Sequence, residues 1–277
     1  MSHKHTINSQ GEIIDLSSPK VMGIINVTPD SFFSGSRKVA VDDVLKSAEK
    51  MLEEGATFLD IGGYSSRPGA KDVSIDEELD RVIKPISGIM KRFPEAIISI
   101  DTFRSEVAKA AVDAGASIVN DISAGHLDAG MLSAVAEMCV PFIAMHMRGT
   151  PQTMNGLTNY DDLLVEVMKY FSSTLNDCNQ LGIKDVIIDP GFGFAKTAEQ
   201  SFDLLKKLDH FHYLDRPVLV GVSRKSMIYR TLNLTAEEAL NGTSVLNTVA
   251  LFKGAAILRV HDVKEAVETV KLVNQLN

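Results

Sequence analysis

The sequence predicts an α/β fold, a (β/α)8 TIM barrel with a short N-terminal hairpin, and three observations carry that expectation. Eight short apolar runs rich in β-formers recur along the chain. Segments with helical periodicity separate them, and glycines stand where several helical patterns give way to the next run. The runs are Val21–Asn26, Phe58–Ile61, Ile97–Asp101, Ile118–Asp121, Phe142–His146, Val186–Asp189, Val218–Val222 and Ala256–Val260. Continuous apolar strands, as opposed to alternating ones, suit a parallel sheet covered by helices.

The intervening segments support the same reading. Within 160–181, Leu164, Met168, Phe171, Leu175 and Cys178 follow the three-or-four spacing of one buried helix face. Glu54-Gly55-Ala56, Ala114-Gly115-Ala116 and Lys253-Gly254-Ala255 each close a helical pattern just before a strand, as does Gly182. Glycine there supplies the left-handed residue that stops a helix. Eight strand–helix units in about 250 residues match a closed barrel. An open doubly wound sheet is the alternative, but no GxGxxG follows the first strand. Residues 1–20, with Gln10-Gly11 as a turn signal, form an N-terminal hairpin or extension, and residues 21–277 form the barrel. No linker, low-complexity stretch or charge block divides the chain.

Composition narrows the function. The chain has 277 residues, 45% of them hydrophobic, and a formal net charge of -8. Long-range repulsion therefore opposes nucleic acid or an anionic membrane as a general partner. Any anionic substrate must be met by local basic residues. Cys139 and Cys178 sit inside apolar helical patterns and are expected to be buried, reduced thiols. The first residues lack the apolar core of a signal peptide, and no apolar run approaches the ~18 residues that span a bilayer. A cytoplasmic protein is expected.

In a barrel of this kind the chemistry sits at the C-terminal mouth of the strands. The strand ends carry Asn26, Asp60, Asp101, Asn120 with Asp121, His146, Asp189, Ser223 with Lys225, and Arg259 with His261. One such residue alone reads as a helix N-cap. A whole ring of them points to a polar site. Asp101, Asn120 and Asp189 offer acceptors for a flat heterocycle with paired N–H groups. Lys225, Arg259 and His261 form a cationic corner suited to phosphates. Two long loops, around Asn26–Phe33 and Gly62–Ala70, are expected to act as lids that exclude water. His146 lacks a partner at metal-ligand spacing and reads as structural. Magnesium needs few protein ligands when phosphates and water complete its shell.

The ordered motifs resemble one family. Met22-Gly23-Ile24-Ile25-Asn26-Val27-Thr28-Pro29-Asp30-Ser31-Phe32 is similar to the first-loop signature of the dihydropteroate synthases. Asp60-Ile61-Gly62-Gly63 with Ser66-Arg67-Pro68-Gly69-Ala70 resembles their second. Ser99-Ile100-Asp101-Thr102, Asn120-Asp121, Asp189-Pro190-Gly191-Phe192-Gly193-Phe194, Ser223-Arg224-Lys225-Ser226 and Arg259-Val260-His261-Asp262 follow in order. The single motifs are weak, whereas the ordered set is specific and covers the whole barrel.

The resemblance implies a magnesium-dependent condensation of 6-hydroxymethyl-7,8-dihydropterin pyrophosphate with p-aminobenzoate, giving 7,8-dihydropteroate and pyrophosphate in folate biosynthesis. It implies that Asn26 binds Mg2+ and that Asp101, Asn120, Asp189 and Lys225 hold the pterin. Ser66, Arg259 and His261 would contact the pyrophosphate-bearing substrate, with Arg67 closing over it. Phe33, Pro68, Phe194 and Ser226 would shape the p-aminobenzoate pocket, where sulfonamides compete. Among these, Asp101, Lys225, Arg259, His261 and Arg67 are the expected catalytic residues. Members usually dimerise through barrel helices, so a homodimer is implied.

Four departures stand out: Ser34 replaces a common acid, Tyr64 replaces the usual Glu, Ser66 replaces Thr while keeping the hydroxyl, and Ala195 stands where Gly is common. Two other functions compete. One is a methyltetrahydrofolate–corrinoid methyltransferase, which would share the pterin readers but not the phosphate corner. The other is a non-catalytic pterin-binding paralogue, favoured by Ser34 alone.

Overall fold

The computed structural model describes residues 5–9, 11–27, 37–65 and 72–276, with the backbone alone for 37–40. Strands β1 (Thr6–Ser9) and β2 (Glu12–Asp15) pair antiparallel around Gly11, which takes φ +92° and donates its N–H to Asn8 Oδ1 at 2.8 Å. This is the expected hairpin. Eight parallel strands follow: β3 (Lys20–Asn26), β4 (Phe58–Gly62), β5 (Ile97–Asp101), β6 (Ile118–Asp121), β7 (Phe142–Met145), β8 (Val186–Asp189), β9 (Leu219–Val220) and β10 (Ile257–Val260). They lie in the order β8-β7-β6-β5-β4-β3-β10-β9, every neighbour parallel. A parallel bridge between Ile188 and Val218 joins β8 to β9, with Ile188 N donating to Pro217 O at 3.0 Å. That bridge closes the ring.

One α-helix follows each barrel strand except β9, which is followed by two, α7 and α8: α1 (Arg37–Glu53), α2 (Ile75–Arg92), α3 (Ser105–Asp113), α4 (Met131–Met138), α5 (Leu163–Gln180), α6 (Ala198–Lys206), α7 (Ser226–Tyr229), α8 (Leu240–Phe252) and α9 (Val263–Val273). Leu59, Ile61, Ile98, Ile100, Val119, Phe142 and Ala144 point outward and pack under α1 to α4 in one apolar cluster. Val21, Ile188, Val220, Leu258 and Val260 do the same under the later helices.

Side chains alternate faces along a strand, so the opposite set lines the barrel. Its lowest layer is apolar. Met22, Phe58, Ile118, Ile143, Ile187, Leu219 and Ile257 cluster with Ile7, Ile14 and Leu16 of the hairpin, which seals the N-terminal end. Two residues further on, about 7 Å up the barrel, the inward positions are Ile24, Asp60, Ser99, Asn120, Met145, Asp189, Gly221 and Arg259. The polar site thus stands on a dry floor.

Some details differ from expectation. Strand β9 has only two residues, because the backbone leaves the ladder at Gly221 and turns so that Lys225 N donates to Val222 O at 3.1 Å. Strand β7 ends at Met145, with His146 just beyond. On α5 the buried stripe is Val167, Phe171, Thr174 and Cys178, flanked by partly buried Leu164, Met168 and Leu175. Cys178 is a buried free thiol, as expected, but Cys139 is exposed. The helix stops at Met138, and Cys139 takes the left-handed φ of +53° that ends it. Gly55, Gly115, Gly182 and Gly254 all have positive φ, as the joints require. At Gly115 a side chain would meet Met90 Cγ at 2.6 Å, so the position is closed on packing grounds as well.

Candidate active site

The barrel brings Asp101, Asn120, Asp189, Lys225, Arg259 and His261 to one mouth. Arg259 reaches across from β10. Its Nε donates to Asp60 Oδ2 at 2.6 Å and its Nη2 donates to Asp101 Oδ2 at 2.6 Å. Asn120 Nδ2 donates to the same Asp60 oxygen at 3.1 Å. Gly221 stands between Asp189 and Arg259: a side chain there would lie 3.9 Å from both Asp189 Oδ2 and Arg259 Cβ. Lys225 Nζ donates to Phe192 O and lies 4.7 Å from the centre of the Phe194 ring. Acids and cations therefore alternate around one cup.

Electrostatics follow from burial. Desolvation pushes the Asp101 carboxyl up, to about 7, against the pull of Arg259 and with a further push from Asp60. Desolvation also raises Asp189, opposed first by Lys225. Lys225 is drawn down to about 8 by burial, with Asp189 opposing and Arg259 adding to the fall. Arg259 rises above its usual range: burial lowers it, but Asp60 and Asp101 together outweigh that. The expected cationic corner is thus already engaged with the acids beside it.

Local structure fixes each group. Arg224, at a left-handed φ of +55°, clamps Asp262 through Nε at 2.9 Å and Nη2 at 2.5 Å. Ser223 Oγ lies 3.0 Å from His261 Nδ1 and accepts His261 N–H at 3.2 Å. Together these contacts tie the Ser223–Ser226 turn to the end of β10. Ser226 opens α7 directly after Lys225. The turn after β8 is held from within, since Gly191 N donates to Asp189 Oδ1 at 2.8 Å. Thr197 then caps α6 in a reciprocal box with Gln200.

Several positions carry weight that sequence reasoning missed. Asp60 was legible as a polar strand end but has no role in the ligand inventory; in the fold it is fully buried and grips both Arg259 and Asn120. Lys196 is buried and donates to Gly191 O at 3.0 Å and Phe194 O at 3.1 Å, with Nζ 2.8 Å from His146 Nδ1. Nothing local marks it, because a lysine just before a helix cap reads as solvated. His146 has the structural role expected of it. Tyr64, where the related motif has Glu, spans two loops: its hydroxyl accepts from Gln152 Nε2 at 2.8 Å and donates to Asp72 Oδ1 at 3.2 Å. Its ring meets Phe103 edge-on at 5.0 Å, above a cleft of about 390 Å3 lined by Tyr64, Phe103, Arg104 and Gln152 among others. Ala195 adopts φ +48°, which explains why glycine is common there.

Phe33, Ser34, Ser66, Arg67 and Pro68 lie outside the described residues. Asn26 ends β3 in register with Gly62, half-buried at the mouth. Its amide oxygen is a hard donor of the kind magnesium takes, and a single such ligand suffices where a diphosphate and water fill the shell. The residues present fit that ion. No helix among the described residues is long and apolar enough to cross a membrane.

Comparison with known proteins places this geometry among relatives. A family described as "Pterin binding enzyme" matches residues 22–261. The dihydropteroate synthase of Escherichia coli K12 is 46% identical over 267 residues, covering 96% of this chain and 94% of that one. The Yersinia pestis dihydropteroate synthase, solved with a sulfonamide drug complex, superposes with a TM-score of 0.92 at 40% identity over 98% of this chain and 99% of that one. The Xanthomonas albilineans dihydropteroate synthase with 4-aminobenzoic acid gives 0.92 at 38% identity, over 99% and 98%.

Proposed function

This chain belongs to the dihydropteroate synthases of the pterin-binding enzyme family, and on that footing we propose how its barrel mouth works. The reaction joins 6-hydroxymethyl-7,8-dihydropterin pyrophosphate to p-aminobenzoate, giving 7,8-dihydropteroate and pyrophosphate, a step of folate biosynthesis. The observation that carries the reading is the convergence of Asp101, Asn120, Asp189, Lys225 and Arg259 on one mouth within a family match over residues 22–261.

The pterin is a flat bicycle whose amino and ring N–H groups form donor pairs. Asp189, Asn120 and Asp101 accept from them, and Lys225 donates to the ring's acceptors. A wrong heterocycle leaves these buried groups unpaired, which is where the discrimination arises. The diphosphate lies toward Arg259, His261 and Ser66, with Arg67 closing over it. The ring of p-aminobenzoate lies against Phe194, with Phe33, Pro68 and Ser226 shaping the pocket. Sulfonamides, which share its aryl amine, compete there.

The chemistry is set by the leaving group. An aryl amine is a neutral nucleophile and needs no strong base. The barrier lies in parting the pterin methylene carbon from the diphosphate oxygen. Arg259 and His261 stabilise charge building on that oxygen, and the carboxylate of Asp101 stabilises positive charge spreading over pterin and methylene. The substitution is dissociative: the C–O bond breaks, the amine nitrogen forms the new C–N bond, and its proton leaves with solvent. Magnesium held through Asn26 would supply Lewis-acid stabilisation of the departing diphosphate when bound.

Two coarser features extend the reading. The protein works in the cytoplasm, in keeping with a chain that has no apolar spanning helix among its described residues. It is a homodimer. The support is an outward stripe on α8 of Val245, Val249 and Phe252, the last 53% exposed, together with exposed Leu272 at the end of α9.

Pyrophosphate release on mixing the pterin pyrophosphate with p-aminobenzoate, with and without magnesium, tests the function. Release that requires both substrates supports it. No release under any condition points to a silent pterin-binding paralogue, and methyl transfer to cobalamin without release points to a corrinoid methyltransferase.

A further inference from the structure

Arg259 holds two carboxylates at once, and the two differ in their freedom. Asp60 is fully buried one layer below the mouth, and the oxygen that takes Arg259 Nε also takes Asn120 Nδ2. Among the described residues Arg259 is the cation paired with it. Releasing that contact would strand a buried charge, which is costly. Asp101 sits at the strand end, its side chain 18% exposed, and is held through Nη2 alone, which also lies 2.6 Å from Asp60 Oδ2. Asp60 thus holds the Nε–Nη2 edge of the guanidinium from below, and the Nη2 contact with Asp101 is the one that faces the mouth.

We propose that Asp60 is a positioning residue that pins the Nε–Nη2 edge of Arg259 from below, so that the second N–H of Nη2 is exchanged between Asp101 and the diphosphate of the substrate. The proposal rests on the functional reading above. At the mouth Arg259 covers the Asp101 carboxylate. An arriving diphosphate takes over the Nη2 N–H that Asp101 holds, and Asp101 Oδ2 becomes free to accept a pterin N–H. The two halves of one substrate thereby help each other bind, and the help depends on a guanidinium anchored from below by Asp60. Lysine could not replace it, since a point charge on a flexible stem lacks the planar fork.

Isothermal titration of 6-hydroxymethyl-7,8-dihydropterin, with and without saturating inorganic pyrophosphate, reads this coupling. The wild-type chain should bind the pterin at least about fivefold more tightly with pyrophosphate present, and pyrophosphate more tightly by the same factor with pterin present. Asp60→Asn, of the same shape but uncharged, should cut the coupling below about twofold while leaving the affinity for pterin alone within about threefold. Because losing a buried charge can unfold the barrel, Arg259→Lys serves as a second variant and should also lose the coupling. A merely structural Asp60 would weaken pterin binding equally in both conditions. That result, or wild-type coupling below about fivefold, overturns the pivot and leaves the functional reading intact. A wild-type chain that bound no pterin would overturn both.

Discussion

Lys196 Nζ lies 2.8 Å from His146 Nδ1, in the interior beneath the mouth. Burial, with the charge of Lys196 adding to it, pushes His146 down to about 2, so the neutral ring accepts at Nδ1. Burial pulls Lys196 itself well below the usual lysine range, against the attraction of Asp189. The ammonium fastens the end of β7 to the turn that carries Asp189 and Phe194. Lys196→Met would leave the carbonyls of Gly191 and Phe194 and the imidazole nitrogen without their donor. Each buried orphan costs ~1–3 kcal/mol, and relief from desolvating a cation returns part of the sum. A net loss of about 3 kcal/mol in urea unfolding is expected. A loss under about 1 kcal/mol would mean that the turn does not depend on this donor.

The same turn sets a second expectation. Gly191 has φ +68°, and a side chain there would sit 2.1 Å from the His146 carbonyl oxygen. Backbone must therefore move to admit even a methyl group. Gly191→Ala should destabilise by on the order of 3 kcal/mol. It should also weaken pterin binding, because Gly191 N–H holds Asp189 Oδ1. Unchanged pterin affinity in a calorimetric titration would separate the turn from the pocket.

Much of this was legible beforehand, for reasons that differ by residue. Ile118–Asp121 and Val186–Asp189 read correctly to the residue, because continuous apolar runs ending in an acid are what a covered parallel strand looks like. Strand β9 was overextended, since Val222 is as apolar as Val220 but follows the point where Gly221 lets the chain turn away. Cys139 looked like core because the pattern around it is apolar, and the end of α4 was unmarked by glycine. The mouth residues were found as strand ends, whereas their partnerships were not. Asp60 and Arg259 are 199 residues apart, and no local spacing encodes their meeting. Lys196 was illegible for the opposite reason: its surroundings in sequence resemble any exposed helix start.

Association is testable at α8. Val245, Val249 and Phe252 are spaced four and three apart, opposite the buried Asn247, Ala250 and Leu251. That spacing gives a continuous outward apolar stripe. Sedimentation should show a dimer for the wild-type chain and a monomer for Val249→Asp with Phe252→Asp. A dimer that survived both charges would place the interface elsewhere.

Arg259→Ala addresses the leaving group. Removing one well-placed charge donor costs roughly 3 kcal/mol in the transition state, about a hundredfold in kcat/KM. Single-turnover rates would separate this from weaker binding. A variant with wild-type kcat/KM would remove the guanidinium from the electrostatic account.

Finally, the buried ionisable groups define a narrow working range. Asp101 must be ionised to accept from the pterin, and burial holds its carboxyl up at about 7 against the pull of Arg259. As pH falls through that value, Asp101 takes a proton and the acceptor is lost, so activity falls on the acid side. Lys225 must be protonated to donate, and burial draws it down to about 8 against the pull of Asp189. As pH rises through that value, the ammonium is lost and activity falls on the alkaline side. The profile of kcat/KM, which reports the free enzyme, should be a narrow bell with its maximum between the two. Because the groups interact, the measured limbs belong to the set as a whole. Lys225→Arg keeps its charge far above this range, so the alkaline limb should vanish while the acid limb stays. A limb arising from the substrate's own diphosphate would instead persist in every variant. An alkaline fall retained in Lys225→Arg would clear Lys225 of responsibility for it.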